Sequence, residues 1–218
     1  MTLGSFGRLA LAALAAATLS AARADDDVSV NVKLLLAARS SDAAGIHRAL
    51  GAGASPDSRN RLGETALLIA LKKDDLATAK TMLAAGTDVN IAAANGVTPL
   101  MAAAFGGHDG IVAELLARGA DAGATDRLGK NAMTYAAGQG HAAIVRALLA
   151  KGVDANAVYR NDLTALMWAA GYGRNDVVKA LLEAGARTDP RDNRGKTAAD
   201  IAREAGYPET VTLLLPPK

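Results

Sequence analysis

An all-α protein built from a short repeated unit is what this 218-residue sequence predicts. Three observations carry that prediction. Half the residues are hydrophobic but only 3% are aromatic, and the apolar content is mostly Ala and Leu, which form helices better than the β-branched and aromatic residues of strands. The 22 glycines exceed what a plain helix bundle needs, so regular turns must use them. Finally, several columns keep one period of 33 residues: Gly63, Gly96, Gly129 and Gly195 with Asp162 filling the gap, Ala70 to Ala202, Leu83 to Leu215, and Gly53 to Gly185. A fixed period of this length marks a stacked repeat architecture.

The first element lies outside that period. Arg8 supplies a positive charge, Leu9 to Leu19 form an apolar run, and Ala22-Arg23-Ala24 is a small-x-small cleavage site. That order predicts a secretory signal peptide over residues 1–24, cleaved after Ala24. The run is shorter than the ~20 residues a membrane span requires, so no stable membrane insertion is expected after cleavage. The leader has no Arg-Arg pair and the chain has no Cys. The general export route, with neither lipid anchor nor disulfides, is therefore expected. The destination that fits is the periplasm, with secretion as the alternative.

Each repeat reads as two helices. Thr98 is an N-cap and Pro99 suits the first helical position. Gly107 ends that helix where a left-handed residue is needed. Ile111, Val112, Leu115 and Leu116 place an apolar stripe on a second helix. Gly119 closes it, and polar turn chemistry follows from Asp121. Alone, each unit would leave its apolar face in water, so stacking is obligatory.

The segment from Asn95 to Asp126 closely resembles the ankyrin repeat, and the likeness extends over nearly all of residues 25–218. Full repeats are written as 61–93, 94–126, 127–159 and 160–192, between an opening unit at 28–60 and a closing unit at 193–218. The resemblance implies an ankyrin-repeat solenoid of stacked helix-turn-helix units with β-turn fingers. Residues 33–51 are expected to form the opening helix pair. Pro208 is expected to start a last helix carrying Val211, Leu214 and Leu215, which Pro216-Pro217 ends. Such an array is capped at both ends, and no further domain is expected.

Departures from the family pattern are specific. Leu68, Met101, Thr134 and Met167 stand where a His usually follows Thr-Pro-Leu. Asn131 replaces a capping Thr. Asp74-Asp75 replaces Gly-His, with Asp74 left-handed and Asp75 capping. Asp162 replaces a turn Gly, at some strain.

No constellation for catalysis or a cofactor is present. There is no Cys, no G-x-S-x-G and no P-loop, and Asp88, Asp121 and Asp154 fall at the repeat's own turn position. His108 and His141 share a column, but neighbouring helices about 8–10 Å apart are too distant for one metal with ~2 Å bonds. A hydrolase or metal enzyme on this scaffold would have only those histidines to use. Removing Arg8 and Arg23 with the leader brings the basic count to the 22 acidic residues, and nucleic acid is not an expected partner.

The surface remains. In ankyrin arrays the finger tips and first-helix face line a concave groove where protein partners bind. By position, the resemblance assigns Arg61, Asn95, Arg127, Tyr159, Arg160 and Arg194 to the fingers, and Lys73, Phe105 and Tyr172 to the first helices. Phe105, Tyr159 and Tyr172 stand where the pattern demands no large apolar residue, and aromatics beside Arg are hot-spot composition. Tyr135 and Trp168, in the column of Ile69 and Ile201, are expected to pack between repeats. Six units give a groove on the order of 50 Å long, enough for an interface of about 800 Å² per partner. The expectation is a monomeric binding module for a protein with an acidic patch, acting as an inhibitor or immunity protein or as an accessory factor that stabilises an enzyme.

Overall fold

Side-chain caps set the positions of the helices. Thr65, Thr98, Asn131, Thr164 and Thr197 recur at the repeat period, and each accepts the backbone amide three residues on, which satisfies one of the orphan donors at a helix start. The computed structural model describes residues 29–215. The predicted leader and the Pro216-Pro217 stop lie outside the described residues.

The opening unit is α1 (Val30–Ser40) and α2 (Ala43–Gly51). Next come α3 (Ala66–Lys72) with α4 (Leu76–Ala84), and α5 (Pro99–Gly106) with α6 (Asp109–Ala117). The pairs α7 (Ala132–Gln139) with α8 (Ala142–Ala150) and α9 (Ala165–Gly171) with α10 (Asn175–Glu183) follow. The last pair is α11 (Ala198–Glu204) with α12 (Pro208–Leu214). Among the described residues there is no strand. The first helices α1, α3, α5, α7, α9 and α11 pack side by side in one row, and the second helices form a parallel row behind them.

One core runs through the stack from Leu34 to Leu214. The Ala70, Ala103, Ala136, Ala169 and Ala202 column is wholly buried, as close approach of first helices requires. The expected His position has two outcomes. Thr134 completes a reciprocal cap with Asn131, its hydroxyl receiving the Asn131 amide at 3.0 Å. Leu68, Met101 and Met167 are simply buried, so apolar packing takes the place of hydrogen bonding there. Asp74 adopts the left-handed conformation and Asp75 caps α4, as the sequence predicts. The last helix differs from expectation. It closes at Leu214, and Leu215 lies beyond it in extended backbone, half exposed.

Fingers join the repeats at their tips. The Ala94 amide donates to the Leu62 carbonyl at 2.7 Å, Arg127 to Asn95 at 3.0 Å, and Asn193 to Asn161 at 3.1 Å. Close approach needs glycine: a Cβ on Gly96, whose φ is +84°, would lie 2.9 Å from Asp126 Cα. Between the third and fourth fingers the corresponding bond, from Arg160 to Leu128, is absent. There the fourth finger is a 3-10 turn, Arg160–Asp162, with both Asn161 (φ 63°) and Asp162 (φ 59°) left-handed. The strain expected at Asp162 is thus shared with its neighbour.

Candidate functional site

Finger tips and the C-terminal ends of the first helices share one face of the stack, and on it the aromatic residues meet. Phe105, at the end of α5, packs edge-on against Tyr135 of α7, with ring centroids 5.9 Å apart. Lys130, from the third finger, lies over Tyr135 at 5.7 Å and over Trp168 of α9 at 4.5 Å. Trp168 stacks on Tyr172, one turn along, at 6.3 Å and an interplanar angle of 10°. The result is a continuous strip, Phe105–Tyr135–Lys130–Trp168–Tyr172, across three repeats. Its ends are open: Phe105 is 53% and Tyr172 50% exposed. A cation over an aromatic face is attracted by the ring quadrupole, so Lys130 ties the two halves together.

The strip is anchored from below. Tyr135 Oη donates to Asp126 Oδ2 at 2.6 Å. Burial and this bond to the Asp126 carboxylate push the Tyr135 phenol above its ordinary range. Asp126 itself is buried, and its Oδ1 accepts the Leu128 and Lys130 amides at 2.8 and 2.9 Å, which fixes the third finger. At the other end of the array Asp192 treats the Arg194 and Lys196 amides in the same way.

The predicted site residues divide by what holds them. Arg61, Arg127 and Arg160 are exposed finger residues with no ion pair among the described residues. Asn95 is exposed, and its Oδ1 accepts the Val97 amide at 3.2 Å within its own finger. Lys73 is exposed but its ammonium donates to the Arg39 carbonyl, which ties it to the opening unit. Arg194 pairs with Asp192 at 2.7 Å, so its charge is already met.

Tyr159 is a correction. It was expected to be a free finger aromatic, but it is half-buried and Asn131 Nδ2 donates to its hydroxyl at 3.3 Å. Burial raises its pKa, the Asn131 bond opposing. The ring sits in a notch with Leu116, Asn131 and Val153 behind the fingers. Trp168 packs between repeats as expected, against the core and under Lys130 of the preceding repeat, and it also stacks with Tyr172. Tyr135 is likewise half-buried and belongs to the strip. The helical period shows these residues on an inward column but not that a finger lysine bridges them.

The histidines reach back to the preceding repeat. His108 Nε2 meets Asp74 Oδ1 at 3.3 Å, and His141 Nε2 meets the Phe105 carbonyl at 3.1 Å. Among the described residues no three His, Asp or Glu side chains are placed to hold a metal ion, and no helix is long and apolar enough to cross a membrane.

The family model for ankyrin repeats (3 copies) matches residues 34–126, 107–192 and 133–218. The chain belongs to the ankyrin-repeat family. A similar solved structure is the crystal structure of EF0377, an ankyrin repeat protein, with 33% identity and a TM-score of 0.75 over 84% of this chain and 96% of that one. No curated protein matches the sequence. Ankyrin repeats generally mediate protein–protein interaction, and proteins of this family are typically binding modules without catalytic activity. The ankyrin finger face of this chain is the one that carries the aromatic strip and the unpaired arginines.

Proposed function

We propose that this ankyrin-repeat protein is an exported, periplasmic module that holds a protein partner on its finger and first-helix face. The observation that carries the reading is the strip itself. Two aromatic side chains, Phe105 and Tyr172, remain half exposed at its ends, although the fold does not need them there. Arg127 and Arg160 stand on the third and fourth fingers with no ion pair among the described residues, and aromatic and Arg anchors dominate interface energetics. The Arg8, Leu9–Leu19 and Ala22-Arg23-Ala24 pattern supports export, with secretion as the alternative destination.

The test is affinity capture from periplasmic extract on the immobilised protein, followed by mass spectrometry. Phe105→Ala with Tyr172→Ala is expected to lose the captured protein while keeping the circular dichroism melt. Retention of the partner by that double variant would refute the binding face. In parallel, N-terminal sequencing of the exported protein is expected to begin at Asp25. A captured toxin or hydrolase would make the chain an inhibitor or immunity protein, and an ordinary periplasmic enzyme would make it an accessory factor.

A further inference from the structure

The finger ladder breaks at one step, and the break falls beside the aromatic strip. Where the other fingers exchange a backbone bond, Arg160 and Leu128 do not. A cleft of about 300 Å³ opens there, lined by Leu128, Lys130, Arg160, Asn161 and Trp168 among others. Leu128 is 59% exposed on its rim. Trp168 offers an aromatic surface continuous with Tyr172.

The two charged side chains that line this cleft, Lys130 and Arg160, are both cations. Asp126 is the nearest acid on the third finger, and it is buried and spent on the Leu128 and Lys130 amides and the Tyr135 hydroxyl. Asp162, on the fourth finger, is exposed but makes no ion pair with Arg160 and does not line the cleft. Among the described residues the Lys130 ammonium has only aromatic rings for partners. Arg127 and Arg160 have no ionic partner among the described residues. Two cations, Lys130 and Arg160, thus line an apolar and aromatic floor, and Arg127 is the residue next to Leu128 on the same finger. A carboxylate meets Arg through paired, charge-assisted hydrogen bonds, and Leu128 with Trp168 offers apolar and aromatic surface to a bulky side chain.

Resting on the reading of this face as the binding face, we infer that the cleft between the third and fourth fingers takes an acidic segment of the partner. Its carboxylates meet Lys130 and Arg160, with Arg127 adjoining, and an adjacent bulky apolar side chain lies between Leu128 and the open edge of Trp168.

The chain has one tryptophan, so Trp168 emission reports on this cleft alone. The purified protein is titrated with a synthetic peptide of glutamates flanking one phenylalanine, and with analogues carrying glutamine or lysine in place of glutamate. The glutamate peptide is expected to give a saturable emission change that weakens as salt rises. Arg160→Gln weakens it about tenfold and Arg127→Gln weakens it less, while Arg160→Lys recovers part of the loss and all three keep the wild-type melt. The lysine peptide is expected to give no change. A silent glutamate peptide, an equal response to the glutamine analogue, or indifference to Arg160→Gln would overturn the inference. If a captured partner survives Arg127→Gln with Arg160→Gln but is lost with Phe105→Ala and Tyr172→Ala, the acidic chemistry fails and the binding face stands. If it survives both pairs, the binding face fails as well.

Discussion

Arg174 Nε donates to the Gly138 carbonyl at 3.0 Å across 36 residues of sequence. His141 Nε2 meets the Phe105 carbonyl across the same 36 residues. The two side chains occupy one column, and each lies over the glycine that ends the preceding first helix. A Cβ on Gly107 would lie 2.6 Å from the His141 ring, and one on Gly140 would lie 3.0 Å from Arg174 Cδ. A guanidinium therefore does for the fourth repeat what an imidazole does for the third, binding a helix-end carbonyl that has no partner inside its own helix.

Arg174→Ala is expected to cost about 1 kcal/mol, the usual net value of one such bond, which lowers the melting temperature by roughly 2–4 °C for an array of this size. Arg174→His should recover most of that loss, because histidine already serves at position 141. Thermal melts followed by circular dichroism compare the three proteins. An alanine variant as stable as wild type would show that the bond contributes nothing.

Asp162 stands in the turn position that Gly63, Gly96, Gly129 and Gly195 hold elsewhere, and its φ is 59°. A left-handed conformation costs an L-residue roughly 1–2 kcal/mol, somewhat less for Asp. Asp162→Gly is expected to stabilise the protein by about 0.5–1 kcal/mol, read as a shift of the urea midpoint at constant slope. A destabilised variant would show that the Asp162 side chain supports the unusual fourth finger.

Asp192 gives the array a dependence on acid. Burial alone would raise its pKa, but the Lys196 and Arg194 amides and the Arg194 guanidinium outweigh burial and hold its carboxyl below the ordinary range. The unfolded chain then binds the proton more readily, so the contribution is full above the ordinary Asp value and is lost as pH falls through the lowered one. Asp192→Asn should melt below wild type at pH 7, and the gap should close as pH drops below about 4. A gap that stays constant down to pH 3 would assign the difference to packing rather than to charge.

The architecture is legible in the sequence because its determinants are local and periodic. Thr98, Gly107 and the Ala70 column each act within one unit or on an identical neighbour, so a period of 33 displays them. The candidate site is legible only in part. Phe105 and Tyr172 stand out because they break the pattern, and both are half exposed. The Lys130–Trp168 contact depends on a finger of one repeat reaching the helix of the next, which no column records. Tyr159 departs from the pattern for the same reason, since the side-chain amide that donates to its hydroxyl, that of Asn131, lies 28 residues away. The break between Leu128 and Arg160 follows from two successive left-handed residues, of which the sequence signalled only Asp162.

A second link between repeats is absent behind the fingers. Asn90 Nδ2 donates to the Gly119 carbonyl at 3.1 Å while its Oδ1 accepts the Asp121 amide at 2.8 Å. Asn156 clamps Gly185 and Arg187 with the same pair of distances. Midway between them stands Gly123, which has no side chain to make the clamp to Gly152 and Asp154, and the notch behind the fingers opens at that place. The local backbone already matches: the Gly123 amide donates to Asp121 Oδ1 at 2.8 Å, as Asn90 does to Asp88 and Asn156 to Asp154. An added Cβ would meet nothing closer than Asp121 Oδ1 at 3.3 Å, and the residue does not lie at positive φ. Gly123→Asn should therefore supply two hydrogen bonds and reduce the freedom of the unfolded chain, for a gain on the order of 1–2 kcal/mol. The denaturant midpoint measures the gain, and Gly123→Ala separates the backbone effect, about 0.4–1 kcal/mol, from the clamp itself. If the asparagine variant gains no more than the alanine one, the clamp has not formed, and the second and third full repeats are held together by apolar packing alone at that edge.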